Sequence, residues 1–286
     1  MLVYLIGYKG WIGNQFLELF KKNNIDYIYS DFRAESKILQ QCIINSKATH
    51  VLACIGRTHG MINNNLINNI DYLEDESKLK ENLNDNLYAP LSLAMFCDKH
   101  DIHFTYLGTG CIYDYYLDKK LEDYDFTEDD EPNFFGSKYS TVKGITNNLM
   151  KYTNALHLRI RMPITYKSYE RDFITKIINY KNIFSNENSM SVLDEILPIS
   201  LEMMKNNETG TWNMTNPGTI SHKYILELYK KHISPNHTYN LINKEEHNKL
   251  LLSKRSNNKL STEKLESKYK ITNIKEIVED IIKSRG

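Results

Sequence analysis

The stretch from Leu2 to Gly13, LVYLIGYKGWIG, decides the fold of this chain. Five apolar residues predict a buried strand over 2–6, and the apolar positions after the turn predict a helix over about 11–23. The three glycines between them follow a Gly-x-x-Gly-x-x-Gly spacing, which lets the backbone approach a pyrophosphate at a helix N-terminus. We therefore predict a dinucleotide-binding turn whose cofactor-contacting residues are Gly7, Gly10, Trp11, Ile12 and Gly13.

Outward from this turn, short apolar runs alternate with helical patterns, which is typical of a doubly wound parallel sheet of the Rossmann type. Further strands are predicted over 27–29, 50–54, 103–108 and 156–161, and further helices over 36–46, 84–100 and 136–152. Beyond Pro163 the pattern is less regular, although 212–214 reads as one more sheet strand. We predict a Rossmann-like NAD(P)-binding domain over 1–165, completed by a strand near 210–215, and a smaller, mostly helical substrate lobe over 166–286.

Composition excludes several classes of partner. The chain has 36 basic and 36 acidic residues, so its net charge gives no general attraction to nucleic acids or membranes. No apolar run approaches the ~20 residues of a membrane span. The four cysteines form no CxxC pair, which favours reduced thiols. The first residues read as a strand rather than a signal peptide. We expect a cytoplasmic protein with no membrane, nucleic-acid or metal partner.

The end of the second strand bears on the choice of cofactor. An acidic residue at this position favours the ribose 2′-hydroxyl of NAD, whereas an arginine favours the 2′-phosphate of NADP. This segment contains both Asp31 and Arg33. Arg33 is better able to hold a phosphate, so NADP(H) is the preferred prediction and NAD(H) the alternative.

Tyr139 and Lys143 form a Tyr-x-x-x-Lys pair that opens the helix after the fourth strand. On a helix this spacing places both side chains on one face, one turn apart. A nearby ammonium is expected to lower the tyrosine pKa, and the tyrosine then protonates a carbonyl oxygen while hydride reaches the carbon. Thr109, at the end of the fourth strand, is placed to hydrogen-bond the same oxygen. This pattern predicts a keto-reductase.

Cys111, two residues after Thr109, has no role in a plain reductase. A free cysteine is most often a small buried apolar residue. A redox role has no partner cysteine nearby in the sequence, whereas a thiol close to a lysine can act as an acid or base. The residues alone leave these alternatives open.

Ten segments give the chain a specific resemblance. It resembles the extended short-chain dehydrogenases/reductases and, more closely, the bifunctional nucleotide-sugar 3,5-epimerase/4-keto-reductases of UDP-L-rhamnose synthesis in plants and giant DNA viruses. The resemblance runs almost end to end. It departs from the family pattern after the third strand, where this chain reads ACIGRT over 53–58. The segments that carry it are 7–13, 49–51, 109–112, 131–134, 139–143, 158–164, 173–177, 189–199, 212–218 and 255–258.

The resemblance implies a role for each matching residue. Thr109, Tyr139 and Lys143 are the expected reductase triad, and Cys111 and Lys176 the expected acid/base pair that inverts the sugar carbons from opposite faces. It also implies a UDP-4-keto-6-deoxy-glucose substrate, with a homodimer as an option. Two alternatives stay open: a reductase without epimerase activity, and a non-catalytic NADP-binding subunit. Further expected contacts are Asn86 and Pro163 to the cofactor, and Met162, Ile164, Asn216, Arg255 and Asn258 to the substrate.

Overall fold

The structure is a computed structural model that describes residues 1–115 and 124–286. The strands are β1 (Leu2–Ile6), β2 (Asp26–Tyr29), β3 (His50–Ala53), β4 (Gly60–Ile62), β5 (Asn65–Ile67), β6 (His103–Thr109), β7 (Leu156–Ile160), β8 (Asn182–Ile183), β9 (Glu187–Asn188), β10 (Gly210–Asn213), β11 (Ile220–Ser221) and β12 (Asn240–Leu241). The α-helices are α1 (Trp11–Lys22), α2 (Lys37–Ser46), α3 (Leu79–Leu83), α4 (Ala89–Lys99), α5 (Lys138–Met150), α6 (Phe173–Ile177), α7 (Leu193–Lys205), α8 (His222–His232), α9 (Lys244–Lys249), α10 (Glu263–Glu266) and α11 (Ile274–Ser284).

Six strands form one parallel sheet in the order β10-β7-β6-β3-β1-β2. The predicted Rossmann-like sheet is therefore confirmed, including the late strand, which pairs with β7 as β10. The direction of strand addition reverses between β1 and β3. In open α/β sheets, ligands bind at the carboxyl ends of the strands beside such a reversal.

Helices cover both faces of the sheet. On one face, α1 and α7 pack through Phe16, Phe20 and Met203. On the other face, α2, α4 and α5 pack through residues such as Leu93 and Met150. Burial of these apolar side chains is the main contribution that holds the three layers together.

The region after β7 has its own apolar cluster, formed by α6, α8 and α11 around residues such as Ile174, Ile225 and Ile277. Its strands are short pairs, β9 with β11 and β8 with β12. The residues after β7 are thus mostly helical, but β10 is part of the parallel sheet and α7 packs against one face of that sheet. The domain limits at 165 and 166 stay a prediction.

The helix predicted over 84–100 differs in the structure. The helical run starts at Leu79, passes through a π-helical turn over Asn84–Tyr88 and continues as α4. Such π-helical turns occur frequently at functional sites. Within 1–115 and 124–286, no helix combines the length and apolar character that a membrane span requires.

Candidate active site

The glycine turn has the geometry that a pyrophosphate needs. Gly7 has a φ of +83°, and a Cβ there would lie 2.4 Å from the Cys54 carbonyl oxygen. A Cβ on Gly13 would lie 2.2 Å from the Gly7 carbonyl oxygen. Side chains at these positions would therefore clash with the backbone. Gly10 immediately precedes α1, so the free N–H groups of Trp11 and its neighbours face the turn. This cradle fits a dinucleotide cofactor.

The two charged residues after β2 are both paired in the structure. Asp31 lies 2.6 Å from the Lys9 ammonium and accepts a hydrogen bond from the Tyr8 hydroxyl. Arg33 contacts the carboxylates of Glu35 at 3.0 Å and Asp85 at 2.8 Å. A 2′-phosphate would compete with these carboxylates for the exposed guanidinium. The preference for NADP(H) stays a prediction.

The structure brings the three predicted reductase residues together. The Ser137 hydroxyl caps α5 by accepting a hydrogen bond from the Ser140 N–H, so Tyr139 and Lys143 lie on its first two turns. Both side chains are buried, and the Lys143 Nζ lies 5.9 Å from the centre of the Tyr139 ring. Thr109, at the end of β6, lies close enough to the Tyr139 hydroxyl to lower the pKa of Tyr139.

The electrostatics of this group differ from the prediction. Burial raises the pKa of Tyr139, the nearby Cys111 raises it further, and the Thr109 hydrogen bond lowers it only in part. Burial lowers the pKa of Lys143 to about 7. The expectation that the Lys143 ammonium lowers the Tyr139 pKa is therefore wrong for the isolated chain, because desolvation dominates both groups. Tyr139 keeps its proton and can donate it.

Sequence reasoning missed Tyr106. Its hydroxyl accepts a hydrogen bond of 2.5 Å from the Lys143 Nζ, and its ring stacks on His157 with centroids 5.6 Å apart. Tyr106 is fully buried in β6. No signal in the sequence separates this residue from an ordinary core tyrosine, because its partner lies 37 positions away.

Asn86 holds the loop after β3 in place. Its side chain is fully buried in the π-helical turn, where its amide bonds both the N–H and the carbonyl of Arg57. A Cβ on Gly56 would lie 3.0 Å from the Asn86 Oδ1 and 3.1 Å from the Lys143 Nζ. Asn86 therefore fixes the loop after β3 against Lys143, and its predicted contact with the cofactor stays a prediction.

The segment after β7 places Met162 and Pro163 at the same edge of the sheet, both half-buried. Met162 has a φ of +42°, a left-handed conformation that costs free energy for a residue with a side chain and is found at functional sites. Ile164 is 0% exposed and packs in the cluster of α6, α8 and α11. It has no surface for a ligand, so the predicted substrate contact of Ile164 is corrected.

The predicted substrate contacts of Asn216 and Asn258 are also corrected, because both side chains are fully buried. Asn216 is 0% exposed and its amide bonds the Val192 N–H and the Glu195 carboxylate. Asn258 is also 0% exposed and donates to the carbonyl of Gly110 at 2.9 Å. Both amides hold backbone segments in place. The family motif thus identifies these asparagines. Because both are buried, they stabilise the backbone around the site rather than contact the substrate.

Arg255 lies nearer the surface than the two asparagines. Its guanidinium is half-buried, pairs with the Asp71 carboxylate at 2.9 Å and also bonds Ser253. The neighbouring cleft, about 610 Å³ in volume, is lined in part by Asp71 and Leu252. Arg255 therefore stays a candidate for the nucleotide-sugar side.

Lys176 lies on α6, a short helix whose N-terminus is capped by the buried Asp172. It is half-buried, and burial followed by the cation of Arg171 lowers its pKa. Cys111 is half-buried just after β6, and its N–H donates to the Thr109 hydroxyl. Among the described residues, no hydrogen bond joins Lys176 to Cys111.

Comparisons with known proteins agree with this geometry. The model of the RmlD substrate binding domain family matches residues 1–284. The mimivirus protein L780 of Acanthamoeba polyphaga mimivirus is 43% identical over 282 residues, which is 96% of each chain. The crystal structure of the L780 UDP-rhamnose synthase superposes with a TM-score of 0.94 at 42% identity and covers 99% of both chains.

Two Arabidopsis thaliana proteins are also similar. A bifunctional dTDP-4-dehydrorhamnose 3,5-epimerase/reductase is 38% identical over 280 residues, 96% of this chain and 89% of its own length. A trifunctional UDP-glucose 4,6-dehydratase/3,5-epimerase/4-keto-rhamnose reductase is 40% identical over 281 residues, and this chain spans only 40% of that relative. The match over 1–284 and the near-complete overlap with L780 show that the chain belongs to the RmlD substrate binding domain family.

Proposed function

We propose that this chain converts UDP-4-keto-6-deoxy-D-glucose to UDP-L-rhamnose, by epimerisation at C3 and C5 followed by NAD(P)H-dependent reduction at C4. The observation that carries the reductase part is the constellation of the buried Tyr139 and Lys143 with the half-buried Thr109 at the end of β6. The names of the similar proteins support a nucleotide-sugar reductase. The epimerase part rests on Cys111 and Lys176.

In the reduction, Tyr139 acts as the general acid. When bound at the glycine turn, the nicotinamide cofactor supplies a hydride to C4. The Tyr139 hydroxyl donates its proton to the C4 oxygen while Thr109 hydrogen-bonds the same oxygen. The raised pKa of Tyr139 keeps the proton in place until the oxygen becomes basic. Lys143, with a pKa of about 7, is able to return a proton to Tyr139 at neutral pH.

In the epimerisation, the C4 ketone makes the hydrogens on C3 and C5 acidic. One group removes a proton from one face of the sugar and a second group returns a proton to the other face. We assign these roles to Cys111 and Lys176. The lowered pKa of Lys176 shifts the equilibrium toward the neutral amine, which is the form that accepts a proton. Tyr139 and Thr109 stabilise the enolate oxygen, so one oxyanion site serves both reactions.

The finer assignments follow from the sequence and stay predictions. UDP is the proposed carrier, in line with the printed name of the L780 UDP-rhamnose synthase, and NADP(H) is the proposed cofactor with NAD(H) as the alternative. Met162 and Pro163 are proposed to contact the sugar and the nicotinamide, and Arg255 the nucleotide sugar. A cytoplasmic location and a homodimer are likewise predictions.

The test is incubation of the chain with UDP-4-keto-6-deoxy-glucose and either NADPH or NADH, with the product identified by NMR. Formation of UDP-L-rhamnose supports the proposal. Turnover of only the pre-epimerised ketosugar identifies a reductase without epimerase activity. Turnover of neither ketosugar, with NADPH bound, identifies a non-catalytic subunit, a result that the complete triad argues against.

A further inference from the structure

The segment 166–172 connects β7 to α6 and has no role in the proposed reaction. Both of its ends are fixed to the surrounding structure. The Tyr166 hydroxyl donates to the Asp280 carboxylate at 2.5 Å, and the buried Asp172 carboxylate pairs with Arg285 at 3.0 Å. The residues between these two anchors are exposed. The segment is therefore a surface loop with fixed ends.

One residue of this loop, Tyr169, stacks on the predicted cofactor turn. Its ring lies almost parallel to that of Trp11, with an interplanar angle of 6° and ring centroids 5.5 Å apart. Trp11 is the first residue of α1 and directly follows Gly10 of the glycine turn. Aromatic pairs of this kind contribute favourable free energy beyond the area that they bury. The stack therefore joins the loop to the turn that follows β1.

A second residue of the loop, Arg171, contacts the segment that follows β3. Its guanidinium hydrogen-bonds the Nε2 of His59, which lies between β3 and β4. Because a guanidinium can only donate, this Nε2 accepts and the ring proton lies on Nδ1, which donates to the Thr58 hydroxyl at 3.2 Å. Burial, followed by the cation of Arg171, lowers the pKa of His59, so the ring is neutral at pH 7 and able to accept.

The two contacts lie on opposite sides of the place where this kind of sheet binds its ligand. In open α/β sheets the ligand lies at the carboxyl ends of the strands, in the crevice beside the reversal of strand order. That reversal lies between β1 and β3, and the loop contacts the segment after each of these strands. The loop thus bridges the crevice. A bridge of this kind has to open before a ligand beneath it can pass.

We infer that residues 166–172 form a clasp over the dinucleotide site, closed by the Trp11–Tyr169 stack and the His59–Arg171 hydrogen bond. The clasp controls both the entry and the release of the cofactor. This inference rests on the proposed function, since it takes NADPH as the ligand of the glycine turn. It extends that function by naming the residues of the substrate lobe that retain the cofactor.

The test measures the rates of NADPH binding and release by stopped-flow fluorescence, with release followed after addition of excess NADP⁺. Tyr169→Ala removes the stack, so association and release should both become roughly fivefold faster while Kd changes much less. Tyr169→Phe keeps the ring and should stay within about twofold of the wild type. Tyr152→Ala is the control for the loss of an exposed tyrosine, because Tyr152 is 87% exposed and lies outside the clasp.

Arg171→Gln tests the other contact of the clasp. The glutamine side chain is shorter and lacks the guanidinium donors, so both rates should again rise roughly fivefold. Tyr169 is 44% exposed, and its replacement therefore leaves the core intact. If Tyr169→Ala nevertheless does not fold, the rates of Arg171→Gln decide the result.

The pair of rates separates a clasp from a simple contact. Faster release with unchanged association would make Tyr169 a cofactor contact that gates nothing, and would overturn the inference. Unchanged rates in both variants would also overturn it.

These rates require no turnover of a ketosugar, so they are independent of the NMR assay. A chain that makes no UDP-L-rhamnose, yet binds and releases NADPH faster in both variants, contradicts only the proposed function. A chain that makes the product, with rates that respond to neither variant, contradicts only the clasp.

Discussion

Lys143 and Lys176 are two lysines whose pKa values are both lowered by burial, yet they lie in different surroundings. Lys143 is buried on α5 against the sheet, its ammonium bonds the neutral Tyr106, and burial is the only cause of its shift. Lys176 is half-buried on the short α6, where the charges of Arg171 and Glu170 act on it in opposite directions. The pKa of Lys143, in the proposed reductase site, is thus determined by burial in the core. The pKa of Lys176, in the proposed epimerase pair, also depends on the charges of its neighbours.

The comparison predicts that the two activities can be separated by mutation. The largest effect is expected for Tyr139→Phe, which removes the proton donor of the core group. Reduction of the pre-epimerised ketosugar should fall roughly 10²–10⁴-fold, measured as NADPH oxidation. The control is Tyr152→Phe, because Tyr152 lies just beyond α5 and is 87% exposed. Oxidation near the wild-type rate in the Tyr139 variant would show that Tyr139 is not the acid.

The second largest effect is expected for Cys111, one of the two residues proposed for the epimerisation. Cys111→Ser should lower solvent deuterium incorporation at C3 and C5 by about 10²-fold, because a hydroxyl is a far weaker acid than a thiol. Reduction of an already epimerised ketosugar should remain measurable. Cys42→Ser, a half-buried cysteine on α2, is the matched control. Undiminished deuterium incorporation would remove Cys111 from the mechanism.

The third prediction concerns the stability of the chain without cofactor. The folded pKa of Lys143 is about 7 and its ordinary value is 10.5, so the folded state binds fewer protons between these values. The resulting penalty is complete below pH 7 and disappears as the pH rises to 10.5. Lys143→Met should therefore raise the free energy of unfolding by up to about 4 kcal/mol at neutral pH and by less at high pH.

Chemical denaturation across this pH range measures the difference. Lys151→Met, which removes a lysine at the C-terminal end of α5 that pairs with Glu131 at 2.8 Å, is the control. If the free energy of unfolding of Lys143→Met rose equally at neutral and high pH, better packing rather than the removed charge would stabilise this variant.

The smallest effects are expected around Lys176. Arg171 lowers its pKa, so Arg171→Gln should raise that pKa, reduce the neutral amine and slow deuterium incorporation about threefold at neutral pH, with recovery at higher pH. Glu170 raises the same pKa, so Glu170→Gln should shift the profile in the opposite direction. The pH profile of exchange measures both variants. Shifts in the same direction would contradict the electrostatic account.

The same comparison explains what the sequence predicts. The sheet, the glycine turn and the triad are encoded by short-range patterns: Gly7 and Gly13 lie in one turn, and Tyr139 and Lys143 in one helix. Their contacts therefore follow from local spacing. Lys176 has no local signal, since a lysine on a short helix is ordinarily exposed, and only the family resemblance identifies it.

The partners that complete the site come from distant positions. Tyr106 meets Lys143 across 37 residues, and Arg255 meets Asp71 across 184. Asn258 was identified by a motif, but only its burial shows that it holds the Gly110 carbonyl. These contacts depend on tertiary packing, and no periodic pattern in the sequence predicts them.

The central claim is that one chain both epimerises and reduces. The most direct measurement is incubation of the wild-type chain with UDP-4-keto-6-deoxy-glucose in D₂O without NADPH or NADH, followed by NMR of the recovered sugar. The account predicts deuterium at both C3 and C5, because Cys111 and Lys176 need no hydride. Absence of deuterium at both carbons, in a preparation that still reduces the pre-epimerised ketosugar, would contradict it.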